Sequence, residues 1–364
     1  MDSTYFYKKY IRPLLFSLDS ETAHGLAHEA GHLAAPLFPL LSGEFKYSRH
    51  DLAVNLAGVL LSNPVGLAAG FDKNGFLTSM LGNIGFGFAE IGSVTGKPSS
   101  GNPKPRLFRL LEDDGLINRL GLNGDGADAV AQRLKGSKLS LPVGINIAKT
   151  NDPNIKGDLA VEDILHSFRA VKDLPAIYVT INASCPNTKE GILEEKKQFA
   201  TIFSEMQKLN TRQLPIFVKL SPDSSEELLN DMVEEASINN LAGYVCGNTT
   251  TTRNSLKTHA DTIAKIGMGG MSGRPLKALG LSLCRRIFKL KQDNQTIIGV
   301  GGIFSGQDAF DYIAAGATAI EIYTGLIYEG PTLPKRICED LSQLLKSHGL
   351  TLAQAIGSES KIKA

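Results

Sequence analysis

TIIGVGG at Thr296–Gly302 and AIEIYTG at Ala319–Gly325 repeat one pattern: a short β-branched run that stops in a polar, glycine-bearing turn. Such a run is a buried strand followed by a tight loop. Working outward, six earlier runs have the same form: Val65–Ala68, Phe88–Ser93, Val143–Ile147, Ile177–Ile181, Ile216–Leu220 and Gly243–Cys246. Amphipathic stretches such as Lys196–Asn210 and Glu226–Ala236 separate them. Eight strands alternating with helices predict an α/β fold closed into a (β/α)8 TIM barrel. A doubly wound open sheet is the competing architecture, but no GxGxxG follows the first strand.

The 364-residue chain has room for this barrel plus a small appendage. We divide it into a helical region at 1–42 and a barrel domain at 43–364. In the first, Tyr5, Phe6, Tyr10, Leu14 and Leu15 lead to Leu18, then Leu26, Ala30, Leu33, Ala34 and Leu37 follow at helical spacing. A wide apolar stripe ordinarily packs into a core; an interfacial membrane patch is the alternative. A net charge of +1 offers no field to gather nucleic acid. No run approaches the roughly 20 apolar residues of a membrane span. Lys8, Lys9, Arg12 and Pro13 interrupt what would be the apolar stretch of a secretory signal. Cys185, Cys246, Cys284 and Cys338 form no CxxC pair, which argues for a reducing compartment and against zinc ribbons and iron–sulfur clusters.

Barrel chemistry sits where strands end. The strand ends here offer Ala69, Gly70 and Lys73, then Ser93, Asn146, and the string Asn182–Asn187. The later ones offer Lys219, Gly247, Asn248, Thr249, Gly301, Gly302, Tyr323, Thr324 and Gly325. Glycine turns after the last two strands suit a phosphate, which backbone N–H groups can bind. Lys73 and Lys219 at strand ends are costly to bury unless an anion meets them. Lys219 also has the placement of a Schiff-base lysine.

The strings NPVGLAAGFDKNG (63–75), PRLFRLLEDDGLINRLGLN (105–123), NASCPNT (182–188), VKLSPD (218–223), GNTTTTR (247–253), GGMSGRPL (269–276) and AIEIYTGLIYEGP (319–331) closely resemble dihydroorotate dehydrogenase. With LDSETAH (18–24), the N-terminal part resembles the quinone-reducing class 2 branch. The resemblance implies oxidation of dihydroorotate to orotate in pyrimidine synthesis, FMN as cofactor, and a membrane quinone as final acceptor. It also implies a peripheral location on the cytoplasmic side of the cell membrane. By match, Ala69, Gly70, Ser93, Asn146, Asn182, Lys219, Gly247, Gly273, Gly302, Tyr323 and Thr324 would hold FMN. Lys219 would then face the N1–C2=O edge of the flavin, which competes with the Schiff-base reading. Lys73, Asn118, Arg119, Leu120, Gly121, Leu122, Asn182, Asn187, Asn248 and Thr249 would surround the substrate, whose carboxylate and amide edges suit one lysine and several amides. His24 and Arg109 match positions near the quinone tunnel.

Cys185 falls at the position of the base that removes the C5 proton. Class 2 members usually carry serine there, and cysteine is typical of the soluble class 1 enzymes. An acceptor such as fumarate is therefore the alternative to quinone. Three other readings remain at this point. A barrel could bind flavin without turnover, or Lys219 could serve an aldolase. His28-Glu29-Ala30-Gly31-His32 spells the HExxH zinc signature. Yet His24, His28 and His32 spread over about 12 Å of helix, too far for one ion, and we expect no metal.

Overall fold

The computed structural model describes residues 3–47, 49–183 and 196–359. Its strands are β1 (Val54–Leu56), β2 (Val59–Leu61), β3 (Val65–Leu67), β4 (Phe88–Thr95), β5 (Leu107–Leu110), β6 (Gly115–Asn118) and β7 (Val143–Ala148). After them come β8 (Tyr178–Asn182), β9 (Ile216–Leu220), β10 (Gly243–Cys246), β11 (Gly270–Gly273), β12 (Thr296–Val300) and β13 (Ala319–Ile322). The strands β3, β4, β7, β8, β9, β10, β12 and β13 pair in parallel in that order and close into a barrel. These are the eight runs expected from the sequence, displaced by no more than two residues at any end.

Strands β7, β8, β9 and β10 are buried along their whole length. Helices cover their outer face and side chains from the other strands fill the inside, so apolar residues need not alternate with polar ones. Small residues make room for large ones across the interior. A Cβ on Gly144 would lie 2.1 Å from the ring of Tyr178 on the neighbouring strand. That ring is fully buried.

Two smaller sheets were not evident in the sequence. The hairpin β1–β2 turns at Ala57 and Gly58, both at positive φ, and Asn55 Oδ1 accepts the Gly58 N–H at 2.8 Å. Ala57 shares a surface depression with residues leading into β9, β10 and β12, which puts the hairpin at the N-terminal end of the barrel. The second sheet is antiparallel, in the order β11-β6-β5. It carries its own small core of Leu110, Ile117, Ile266 and Met271.

The N-terminal region forms α1 (Ser3–Phe6), a π-helical turn (Tyr7–Ile11), α2 (Arg12–Ser17), α3 (Ser20–Ala34) and α4 (Phe38–Phe45). Asp19 caps α3 by accepting the Glu21 and Thr22 N–H groups at 3.0 Å. Expectation and structure part company over the apolar stripe. Among the described residues of this region only Tyr7 and Ala23 are buried. Leu14, Leu33 and Leu40 are 68, 73 and 84 % exposed. The physical reason is thickness: the helices form one layer over the barrel, and among the described residues their outer side chains stay exposed. No helix among the described residues is long and apolar enough to cross a membrane.

Candidate active site

Parallel strands in a barrel all end on the same side, so their terminal residues converge. A cleft of about 1140 Å³, measured to its open mouth, collects them. Ala69 and Gly70 follow β3, Ser93 lies within β4, Asn182 is the last residue of β8, and Lys219 is the next-to-last of β9. The turn after β10 contributes Gly247, Asn248 and Thr249, while Gly301 and Gly302 follow β12 and Tyr323, Thr324 and Gly325 follow β13. The antiparallel sheet forms a further wall through Leu107, Leu116, Asn118, Ser272 and Gly273, and the segment Leu120–Asn123 continues it.

Beneath this lining, hydrogen bonds run in one direction. Asn248 Nδ2 donates to Asn182 Oδ1 at 3.4 Å, and Asn182 Nδ2 donates to Ser93 Oγ at 2.9 Å. The Ser93 hydroxyl donates to Asn146 Oδ1, and Asn146 Nδ2 donates to Glu90 Oε1 at 2.9 Å. Glu90 is fully buried and also accepts from Thr180 Oγ1 at 2.6 Å and Lys219 Nζ at 3.4 Å. An acceptor-only carboxylate at the end of the chain determines which way each amide points.

Lys73 donates to Asn123 Oδ1 at 2.6 Å. Burial, aided by the Arg106 guanidinium, lowers its pKa to about 8. A half-buried cation held down in this way gains from an incoming anion. The loop that bears it is shaped by Asp72, whose carboxylate accepts the backbone N–H groups of Gly75, Phe76 and Leu77 at 2.7–3.0 Å.

Other expected site residues stand apart from the cleft lining. Asn146 lies below it, supporting Ser93. Arg119 turns away, donating to the Ile266, Met268 and Pro105 carbonyls and stacking over the Phe108 ring. Arg109 donates to the carbonyls of Leu15, Phe16 and Leu18 at 2.9–3.2 Å, where α2 ends. His24 sits edge-on to Phe71 at 5.3 Å, and Phe71 sits edge-on to Tyr323 at 5.4 Å. Burial, with the nearby Lys73 charge, pushes its imidazole down to about 4. His28 Nε2 lies 3.5 Å from Asp72, and His32 faces the Phe76 carbonyl, so each is directed at the 71–76 loop. Cys185 and Asn187 lie outside the described residues. Cys246, Cys284 and Cys338 are buried free thiols whose pKa values burial pushes well up.

Sequence reasoning missed Asn123, Ser272 and the interior acids Glu90 and Glu321. The signal for the acids was present: each interrupts an otherwise apolar strand, in FAEIGS and AIEIY. Two observations indicate that the cleft is built for a ligand. Thr249 Oγ1 is buried at its wall without a hydrogen-bond partner among the described residues. A Cβ on Gly302, which has a φ of 67°, would meet the Lys277 backbone at 2.7 Å, so this turn admits only glycine and leaves its backbone bare.

Comparison with known proteins gives one answer. Residues 51–345 match the family model described as dihydroorotate dehydrogenase. A relative from Roseiflexus sp. (strain RS-1), named dihydroorotate dehydrogenase (quinone), is 40% identical over 357 residues, covering 95% of this chain and 97% of that one. The protein of the same name from Gloeobacter violaceus is 40% identical over 353 residues, with the same coverage. Among solved structures, the Eimeria tenella enzyme in complex with ferulenol superposes with a TM-score of 0.82 at 34% identity, covering 93% of this chain and 95% of that one.

Proposed function

The chain belongs to the dihydroorotate dehydrogenase family, and from that premise we infer that it oxidises dihydroorotate to orotate with a quinone as final electron acceptor. This is the oxidation step of pyrimidine synthesis. The observation that carries the site assignment is one cleft with a lysine at its floor, a lysine at its wall and a bare glycine turn at its end.

We assign the glycine turn and Thr324 to the phosphate of FMN, and Ala69, Gly70, Ser93, Asn182, Lys219, Gly247, Gly273 and Tyr323 to its ring and ribityl chain. Asn146 acts through Ser93. The donor set fits: it combines backbone N–H groups, hydroxyls and one cation, which suits a phosphate joined to an electron-poor heterocycle. The chemistry FMN supplies when bound is acceptance of a hydride from substrate C6 and delivery of the electrons to quinone. Lys219 places positive charge where such a ring becomes electron-rich.

Substrate is assigned to the side of the cleft that Lys73 faces. Lys73 pairs the carboxylate, while the amides of Asn118 and Asn248 and the Thr249 hydroxyl meet its amide edges. Leu120, Gly121 and Leu122 exclude water there. Asn187 and Arg119 are assigned by motif alone, and Arg119 acts by holding the segment that follows it. Cys185 is assigned as base at C5, also by motif, and its proton leaves to solvent as hydride leaves C6.

Residues 1–42 are assigned to quinone access and to a peripheral seat on the cytoplasmic face of the cell membrane. Ten of the seventeen exposed large apolar side chains among the described residues lie in this region, beside Lys8, Lys9 and Arg12. That concentration supports an interfacial patch. His24 and Arg109 flank the route. The test is anaerobic: dihydroorotate should bleach a bound, non-covalent FMN, and a quinone analogue should restore its colour. A folded protein that takes up no FMN would overturn the reading; reoxidation by fumarate with quinones inactive would overturn the acceptor.

A further inference from the structure

Three ionisable groups meet inside the barrel below the cleft. Lys219 Nζ lies 3.4 Å from Glu90 Oε1 and 3.9 Å from Glu321 Oε2. Glu90 is 0 % and Glu321 1 % exposed, and Lys219 is 5 % exposed. One cation cannot balance two carboxylates in such a place, because an uncompensated buried charge costs several kcal/mol or more.

The hydrogen bonds distinguish the two acids. Three donors converge on Glu90, from Asn146, Thr180 and Lys219, the surroundings of an ionised carboxylate. Glu321 is left far barer: both of its oxygens are buried without a well-formed hydrogen bond among the described residues, and the Tyr178 hydroxyl beside it is a weak partner. The fully buried Tyr178 hydroxyl lies beside both acids without completing a well-formed hydrogen bond to either.

We propose that Glu90 and Glu321 hold one proton between them, with Glu90 the ionised counter-ion of Lys219 and Glu321 its uncharged neighbour at the cleft floor. Burial first, and the Glu90 charge second, push the Glu321 carboxyl well above the ordinary range, which agrees with this division. Glu321 is then a positioning residue. By remaining neutral it leaves Lys219 opposed, among these three groups, by a single carboxylate, so the trio carries no net charge and the Lys219 ammonium is left to face the cleft. Two ionised acids would make the trio net negative and repel an electron-rich ring.

The proposal rests on the FMN reading for its consequence but not for its proton count, and the experiment separates them. Infrared spectroscopy of the folded protein should show the carbonyl stretch of one buried, protonated carboxylic acid that shifts in D2O. It should vanish in Glu321→Gln. It should vanish also in Glu90→Gln, where Glu321 is the one acid left to balance Lys219. With FMN bound, sulfite, which adds to flavin N5 and leaves negative charge on the ring, reports the local field. Glu321→Gln should bind sulfite within about two-fold of wild type, whereas removing a true negative charge from the cleft floor would tighten it about ten-fold or more. The proposal fails on any of three results: no acid signal in wild type, a signal that survives either substitution, or a ten-fold sulfite gain in Glu321→Gln. The wild-type spectrum decides even if a variant does not fold. A protein that takes up no FMN would defeat the functional reading while leaving the carboxyl count measurable.

Discussion

The barrel mouth and the N-terminal helices touch each other, yet they are held in opposite ways. At the mouth, the polar groups stand at or just beyond the ends of strands that are largely buried. Its amides are ordered by a chain that ends on a buried carboxylate. The helices have little core of their own. They are fastened by polar clasps: Glu21 grips Arg106 through both oxygens at 2.8–3.2 Å, Lys8 pairs Glu329 at 2.6 Å, and the Tyr7 hydroxyl donates to the Ile327 carbonyl at 2.6 Å. A site held by packing is rigid and suits chemistry at fixed distance. A layer held by a few clasps, with apolar side chains outward, suits a surface that exchanges a greasy substrate with a membrane.

This contrast predicts that the two halves of turnover can be damaged separately. The largest effect is expected in the dihydroorotate half-reaction. Cys185→Ala should slow flavin reduction by dihydroorotate roughly 10²–10⁴-fold, the usual worth of a positioned base. Cys185→Ser should keep activity that climbs with pH, since a thiol titrates near about 8.5 and a serine hydroxyl is a far weaker acid. Stopped-flow reduction across pH measures both. Wild-type rates in Cys185→Ala at every pH would make this cysteine a packing residue.

Removing residues 1–42 tests the other side. Flavin reduction should survive, while turnover with a membrane-borne quinone analogue drops on the order of 10²-fold as the local concentration at the lipid surface is lost. Equal loss in both half-reactions would mean that the helices support the mouth itself.

A smaller effect comes from Lys73, whose pKa is about 8 in the free protein. A carboxylate ligand favours its charged form. Orotate affinity should therefore be flat below that pH and weaken about ten-fold per unit above it, because binding must then take up a proton. Calorimetry in buffers of different ionisation enthalpy would detect the proton. Affinity independent of pH up to 9.5 would remove Lys73 from the carboxylate.

The smallest effect is expected at Arg109, whose bonds to the α2 carbonyls are partly exposed. Arg109→Ala should loosen the helices by about 1 kcal/mol. Amide exchange in Arg12–Ser17 should quicken, with the quinone half-reaction impaired and the dihydroorotate half-reaction spared. The opposite pattern would make this arginine part of the mouth.

Strands such as Ile216–Leu220 and Thr296–Val300 were legible to the residue, because a strand buried on both faces announces itself as an apolar run between polar turns. Lys73, Asn182, Lys219, Asn248 and Thr324 were legible as cleft residues because parallel strands in a closed barrel must bring their ends together. The antiparallel sheet of Leu107–Leu110, Gly115–Asn118 and Gly270–Gly273 was not. Its third strand lies some 150 residues from the first two, and pairing at that distance leaves no local periodicity.

The order of elements, the barrel and the polar strand ends follow from sequence alone, since each depends on residues close together in the chain. Only the tertiary structure decided which side of the N-terminal helices meets protein. A helical stripe looks the same whether a neighbour or a membrane covers it, and burial depends on what packs opposite. It likewise decided that, among the described residues, three donors converge on Glu90 while Glu321 has no well-formed hydrogen bond, a difference between two similar strand positions that arises from donors on β7, β8 and β9. Charge compensation inside a barrel depends on the whole ring of strands, and no single strand encodes it.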